Sequence, residues 1–476
     1  MARASVGGQP VDSKSAKVTT IRNPATGETV DTAPAGTRGD AQRAIDEAQA
    51  AFESWADLAA SKRAELLYRG VESVLEHKDE LARLLTCEQG KPLREAGLEI
   101  QRFAHTLHHY AGLGKDIRGG HVPLGEGRYG MIIKRPIGVC GAIVPWNFPV
   151  ALMGNKIAPA LLVGNTVVVK PASTTPLTAI RCIELLQQAG LPPGVLNVVP
   201  GAGSVVGQEI LENSKVRKIG FTGATETGRK VMETAAREIK RVTLELGGSD
   251  PMIVCDDAEL DRAVSAASVG RFFNCGQACL AIKRLYLFDS IADEFIDKLV
   301  VKAEKLVVGN GLEKGTMIGP LHTSMQRQEV EEQVQDAVDR GATVLCGGKR
   351  PEGEQYENGF FYLPTLLTDV DESSKVIQEE VFGPALPIIR VQDLDEAISK
   401  ANDSIFGLGS SVWTRDLRRA TVAAERIQAG YTWINSTQVI YDELPFGGVK
   451  QSGLGKEHGS EALDYYMETK SVVVAP

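Results

Sequence analysis

No stretch of the 476 residues stays apolar for membrane-spanning length, and the first twenty positions lack the hydrophobic core of a secretion signal. A cytoplasmic chain without membrane contact is therefore expected. A basic face is also missing. The formal net charge is −9, and the Lys/Arg group at 215–218 lies between apolar, strand-like runs, so it reads as solvated strand ends. No nucleic-acid partner is expected. Cysteines are few: Cys87, Cys140, Cys182, Cys255, Cys275, Cys279 and Cys346 form an odd, scattered set that suits a reducing compartment rather than a disulfide framework. Internal repeats and low-complexity segments are absent.

What is present suits a large α/β protein. Hydrophobic residues make up 43% of the chain and glycine is plentiful, enough material for about three domains. Residues 41–55 and 63–90 carry apolar side chains at helical spacing, broken at Gly90-Lys91-Pro92. Residues 119–136 are glycine-rich and alternate in polarity, as a hairpin does. From Val139 the pattern becomes strand, helix, strand. Apolar strands are expected at 139–144, 166–169, 196–199, 218–221 and 242–246, with a helix at 177–189 closed by Gly190. This alternation predicts a parallel, doubly wound sheet, which receives ligands at the carboxyl ends of its strands. Asn147, Lys170, Gly223 and Glu245 fall at or beyond those ends. A second α/β pattern runs over 251–428, and 470–474 reads as a final strand. His105, His108 and His109 share one helix face, but no carboxylate set completes a metal site, so a solvated face and no metal are expected.

Three short strings carry chemistry: Pro145-Trp146-Asn147-Phe148-Pro149, Leu244-Glu245-Leu246-Gly247-Gly248, and Phe272-Phe273-Asn274-Cys275-Gly276-Gln277-Ala278-Cys279. A thiol, a carboxylate and a side-chain amide are the parts for covalent acyl chemistry. Glu245 stands in an apolar strand, where a carboxylate needs a reason. Together the strings closely resemble the aldehyde dehydrogenase superfamily, and the resemblance runs from about Asn23 to Val474.

The resemblance implies NAD(P)-dependent oxidation of an aldehyde to a carboxylic acid through a thiohemiacetal and thioester on Cys279. Glu245 would be the general base and Asn147 the oxyanion donor; Cys275 is not the nucleophile in this alignment. It implies a Rossmann-type cofactor domain over 1–118 and 139–250 and an α/β catalytic domain over 251–445. A small β oligomerisation ribbon would comprise 119–138 and 460–476, in a homodimer or homotetramer. Cofactor contacts would come from Trp146, Lys170, Ser173, Gly203, Gly223, Ala224, Gly228, Glu380 and Phe382. Ala224 stands where relatives often have serine. Relatives that prefer NAD often carry Glu where this chain has Ser173. Without that carboxylate, a 2′-phosphate meets no like charge, so NADP is the expected preference, with NAD possible.

The substrate tunnel is expected to be lined by Phe148, Leu152, Phe273, Val439, Ile440 and Phe446, with Asn155 and Gln438 as polar accents. Succinate-semialdehyde dehydrogenases resemble the chain around Lys170-Pro171-Ala172-Ser173. Their two carboxylate-holding arginines fall here at Phe273 and Asn155. Broad specificity for uncharged aliphatic or aromatic aldehydes is therefore expected, with succinic semialdehyde as the alternative. Glu245 favours water over coenzyme A as the thioester acceptor. A non-catalytic structural relative is the remaining reading, disfavoured because nucleophile and base are both kept.

Overall fold

The computed structural model of the chain describes residues 3–11 and 17–476. Its first large sheet has the spatial order Gly453–Leu454, Arg241–Glu245, Val216–Thr222, Val139–Ile143, Thr166–Lys170, Leu196–Val198, Ala4–Val6, Gln9–Val11. The five strands from Arg241–Glu245 to Leu196–Val198 are parallel, and those beyond them are antiparallel additions. Val139–Ile143 and Thr166–Lys170 are buried along their whole length, as strands covered by helices on both faces must be. One of those helices, Ala151–Val163, is buried beyond its first two residues and ends at Gly164, whose φ of 102° needs no Cβ. The chain order reverses between Val139–Ile143 and Val216–Thr222. That is the switch point of a doubly wound sheet, where a crevice opens beyond the carboxyl ends.

The second sheet has the order Thr343–Cys346, Thr365–Thr368, Ala385–Val391, Ile282–Phe288, Asp250–Val254, Gly409–Trp413, Tyr431–Ile434, parallel except at Thr343–Cys346. A third, antiparallel sheet joins Met467–Val474, Arg128–Pro136 and Gly120–Gly125, the last exposed along its length. Among the described residues, no helix is long and apolar enough to cross a membrane.

The two large sheets meet in a particular sense. Glu245 ends a strand of the first, and after Gly247-Gly248 the chain enters the second at Asp250. Cys279 stands just before Ile282–Phe288, also at an amino end. The carboxyl end of Arg241–Glu245 thus adjoins amino ends of the second sheet, where Glu380, ahead of Ala385–Val391, accepts from Gly248 N at 3.1 Å.

Two sequence expectations change. The run 63–90 is two helices, Ala60–Glu76 and Lys78–Gln89, because His77 leaves helical geometry and its Nδ1 lies 2.9 Å from the Ser73 carbonyl. Lys215 and Arg217 are solvated, paired with Asp46 and Glu468. Lys218 is fully buried in a central strand, where it bonds the Thr243 hydroxyl and lies 5.1 Å from the Tyr466 ring. Burial pushes its pKa down to about 7. His105 is exposed but not solitary: it lies 2.6 Å from Asp442, which also holds Arg102 and His458.

Candidate active site

The helix Leu260–Phe272 stops at Phe273, and the next three residues turn left-handed: Asn274 (φ 50°), Cys275 (φ 56°) and Gly276 (φ 73°). L-residues resist that region, Asn least among them, so the surroundings must enforce the turn. Glu95 Oε2 accepts from the Asn274 N–H at 2.9 Å. Buried Arg271 donates to the carbonyls of Gly276, Val381, Ile282 and Gly383. Gln277 ties the turn to its neighbours, donating to Asn274 O at 3.0 Å and accepting from His322 N at 2.8 Å. A Cβ on Gly276 would collide with the Gly383 carbonyl, so only glycine fits.

This turn delivers Cys279 half-buried into an apolar group with Leu280, Leu408, Trp433, Ile440 and Phe446. Burial pushes the thiol up to about 12; Lys283 opposes this, while Glu245, Glu380 and Asp250 add to it. The resting sulfur is therefore protonated, and needs a base to become a nucleophile. Lys283 donates to the Cys279 carbonyl at 2.6 Å and to Glu380 at 2.7 Å. Glu380 also accepts from Gly248 N at 3.1 Å.

Glu245 is buried, and its Oε1 has no hydrogen-bond partner among the described residues. Burial holds its pKa well above the usual carboxylate range, and the charge of Glu457 raises it further against Lys156 and Lys456. Glu457 is itself held by Lys156 at 2.6 Å and Asn155 at 3.0 Å, and Lys156 reaches Thr222 at 2.6 Å. Asn155, expected as a polar accent of the tunnel, thus gives one amide N–H to Glu457. The sequence reading missed Lys156 and Glu457. A lysine inside the apolar helix Ala151–Val163 was the available signal.

Asn147 follows the strand Val139–Ile143. Its amide donates to Gln277 O at 3.0 Å, leaving a second N–H. Its carbonyl accepts from Lys91 Nζ at 2.7 Å and from Asn274 Nδ2 at 3.0 Å.

Of the residues expected to hold the cofactor, Lys170 ends the strand Thr166–Lys170 and Gly223 follows Val216–Thr222. Lys170 is buried, its pKa lowered to about 8 by burial, and donates to Pro171 O at 2.8 Å. Ser173 donates to Gly201 O at 2.9 Å and so does not cap the helix Leu177–Gln188. Among the described residues no side chain caps the helix Thr225–Ala236, which starts after Gly223 and exposed Ala224; Gly228 lets it press on Leu246. Gly203 opens a wide, π-helical turn, Gly203–Gly207, with free space where a Cβ would stand. Trp146 stacks on His322 at 4.7 Å and meets Phe382 edge-on at 5.6 Å. These residues fit a dinucleotide: uncapped N–H groups suit a pyrophosphate, and Lys170 and Glu380 suit ribose hydroxyls.

Among the residues expected to meet the substrate, Phe148 and Phe273 stack in parallel at 6.1 Å, with Leu152 part-exposed one turn on. Phe446 is buried beside Cys279, and Ile440 packs on the same group. Val439 is 47% exposed, since its loop bends to bring its carbonyl to Trp433 Nε1 at 2.8 Å. Gln438 Nε2 is buried without a hydrogen-bond partner among the described residues.

A switch-point crevice fitted for a dinucleotide, facing a half-buried thiol and a buried carboxyl, defines a dinucleotide-dependent oxidoreductase. The chain belongs to the aldehyde dehydrogenase family, whose model matches residues 11–472. It is 43% identical to the glutarate-semialdehyde dehydrogenase of Pseudomonas putida over 474 residues, 99% of this chain and 98% of that one. To the NADP-dependent succinate-semialdehyde dehydrogenase GabD of Escherichia coli K12 it is 42% identical over 473 residues, 99% and 97% of the two chains. The crystal structure of an NADP-dependent enzyme from E. coli superposes with a TM-score of 0.97 at 42% identity, covering 100% of this chain and 98% of that one. The protein oxidises an aldehyde with NADP or NAD as its cofactor.

Proposed function

We propose that Cys279 attacks the aldehyde carbon as Glu245 or water takes the thiol proton, forming a thiohemiacetal. The free N–H of the Asn147 amide and the Cys279 backbone N–H meet the charge on the former carbonyl oxygen. A bound nicotinamide dinucleotide supplies the acceptor for the hydride whose loss leaves a thioester on Cys279. Glu245 then takes a proton from water, which attacks the thioester; the acid departs and the thiol reforms. The observation that carries this reading is Glu245: a buried carboxyl with an unpartnered oxygen, electrostatically coupled to the Cys279 thiol.

NADP is the preferred cofactor in this reading. Ser173 brings no charge near Lys170, whose ammonium is free to help neutralise a 2′-phosphate. Ser173→Glu is expected to shift the NADP/NAD ratio of kcat/KM toward NAD by about tenfold, the effect of roughly 1.4 kcal/mol of like-charge repulsion. Lys170 loses its charge as pH rises through about 8. The wild-type ratio should therefore fall with increasing pH across that value. A clear NAD preference at neutral pH contradicts the assignment.

For substrate, the Phe148–Phe273 stack, Leu152, Ile440 and Phe446 support uncharged aliphatic and aromatic aldehydes. Each buried CH2 is worth about 0.8 kcal/mol, so kcat/KM should rise from acetaldehyde to hexanal. A second reading has its own support. Two close relatives are semialdehyde dehydrogenases, and Arg102, held by Asp442 at 2.7 Å, interacts electrostatically with Tyr431 beside Phe446. This cation could meet a distal carboxylate. Kinetics on acetaldehyde, hexanal, benzaldehyde and succinic semialdehyde, read as reduced-cofactor absorbance, decide between the readings. Succinic semialdehyde winning by about tenfold or more, with the advantage lost in Arg102→Leu, establishes the second.

The domains proposed are 1–118 with 139–250 for cofactor and 251–445 for catalysis, supported by separate apolar cores around the two large sheets. Residues 119–138 and 460–476 are proposed as the assembly ribbon of a cytoplasmic homodimer or homotetramer. The exposed strand Gly120–Gly125 at the sheet edge supports that role.

A further inference from the structure

Lys91, Glu95 and Glu99 lie together beneath the reaction centre, all buried, and touch both of its halves. Glu95 and Glu99 are one turn apart on the helix Leu93–Gly112, so they share a face, with Lys91 just ahead of it. Glu95 holds the nucleophile turn through the Asn274 N–H at 2.9 Å. Glu99 Oε1 accepts from Val150 N at 2.9 Å and Ala151 N at 3.2 Å, gripping the far end of the Asn147 loop. Glu99 Oε2 accepts from Lys91 Nζ at 2.6 Å. The same ammonium donates to the Asn147 carbonyl at 2.7 Å and lies 3.9 Å from the centre of the Phe148 ring.

The contacts close a ring. Asn274 Nδ2 donates to Asn147 O at 3.0 Å and Gln277 O at 3.2 Å, and the Asn147 amide donates to that same Gln277 carbonyl at 3.0 Å. The path runs from the helix through Glu95, Asn274, Gln277, Asn147 and Lys91 back to Glu99. Burying a lysine is costly, and one partner carboxylate would suffice to neutralise it. Here the cation also grips the main-chain carbonyl of the residue whose side chain faces the substrate. Fixing that carbonyl fixes the peptide plane and the Cα from which the Asn147 side chain extends, while its amide is held by Gln277 O.

We propose that Lys91, anchored on Glu99, is a positioning residue for the oxidation: it locks the Asn147 backbone so that the amide stays aimed at the aldehyde oxygen. This rests on Asn147 being the oxyanion donor. Small misplacements of such a group cost on the order of a hundredfold. Lys91→Met keeps the apolar stem and removes both the charge and the donors. It is expected to lower kcat/KM for hexanal roughly hundredfold, while NADP affinity stays within about threefold of wild type.

The deciding readout is a double-mutant cycle with Asn147→Ala. If Lys91 acts through Asn147, Lys91→Met/Asn147→Ala is no slower than Asn147→Ala alone, within about threefold. Losses that multiply overturn the inference while leaving the oxyanion role of Asn147 standing, as does a Lys91→Met enzyme within about threefold of wild type. If Asn147→Ala itself loses nothing, the oxyanion assignment is wrong and the inference falls with it. Should Lys91→Met not fold, Asn274→Gly removes the second donor to the same carbonyl and adds no strain to the left-handed turn. The same cycle then applies, with multiplying losses again overturning the proposal.

Discussion

Cys279→Ala is expected to cut aldehyde oxidation by at least about 10^4-fold while NADP binding stays within about threefold of wild type. The loss is large because the thiol forms the covalent bond on which each later step depends. Binding should survive because the residues proposed to hold the dinucleotide, from Lys170 to the uncapped start of the helix Thr225–Ala236, do not touch the sulfur. Cys275→Ala is the control. Cys275 is buried in the left-handed turn, and burial pushes its thiol up as well. It should retain most activity. Mass spectrometry locating the acyl adduct on Cys275 rather than Cys279 would reverse the assignment.

Glu245→Gln should slow turnover by roughly 10^2- to 10^4-fold, the range expected for loss of a general base. Its distinguishing sign is a burst of reduced cofactor followed by slow release, with an acyl adduct accumulating on the protein. Glutamine preserves the shape of the site, so the change isolates proton transfer. pH offers a second handle. Burial raises the Glu245 pKa, so in the resting wild type the protonated, inactive form persists to a higher pH than for an exposed glutamate. Deacylation should therefore accelerate as pH rises through that raised pKa, and Glu245→Gln should lose this dependence. Wild-type steady-state rates in the variant would exclude the base role.

How far the architecture was legible depends on how local its causes are. The runs at 139–144, 166–169 and 242–246 became Val139–Ile143, Thr166–Lys170 and Arg241–Glu245 because apolar strands of a covered parallel sheet carry their burial in their own composition. The antiparallel additions to that sheet, Ala4–Val6 with Gln9–Val11 and Gly453–Leu454, were not expected. They are short, and their pairing depends on partners far along the chain. Lys218 shows the same limit: a lysine near a strand end reads as solvated until the tail brings Tyr466 over it.

By itself, the sequence determined the parallel α/β architecture and the family, through three strings whose residue types suit a thiol, a carboxylate and an amide. Only tertiary structure decided what surrounds them. Asn155 turned out to bond Glu457, the Val439 carbonyl to accept from Trp433, and Trp146 found His322, 176 positions later in the chain. Lys91, Glu95 and Glu99 came beneath the reaction centre. Strand composition and catalytic strings are written in consecutive residues. Desolvation, charge coupling and hydrogen-bond closure arise between segments distant in the chain, so they exist only once those segments have packed.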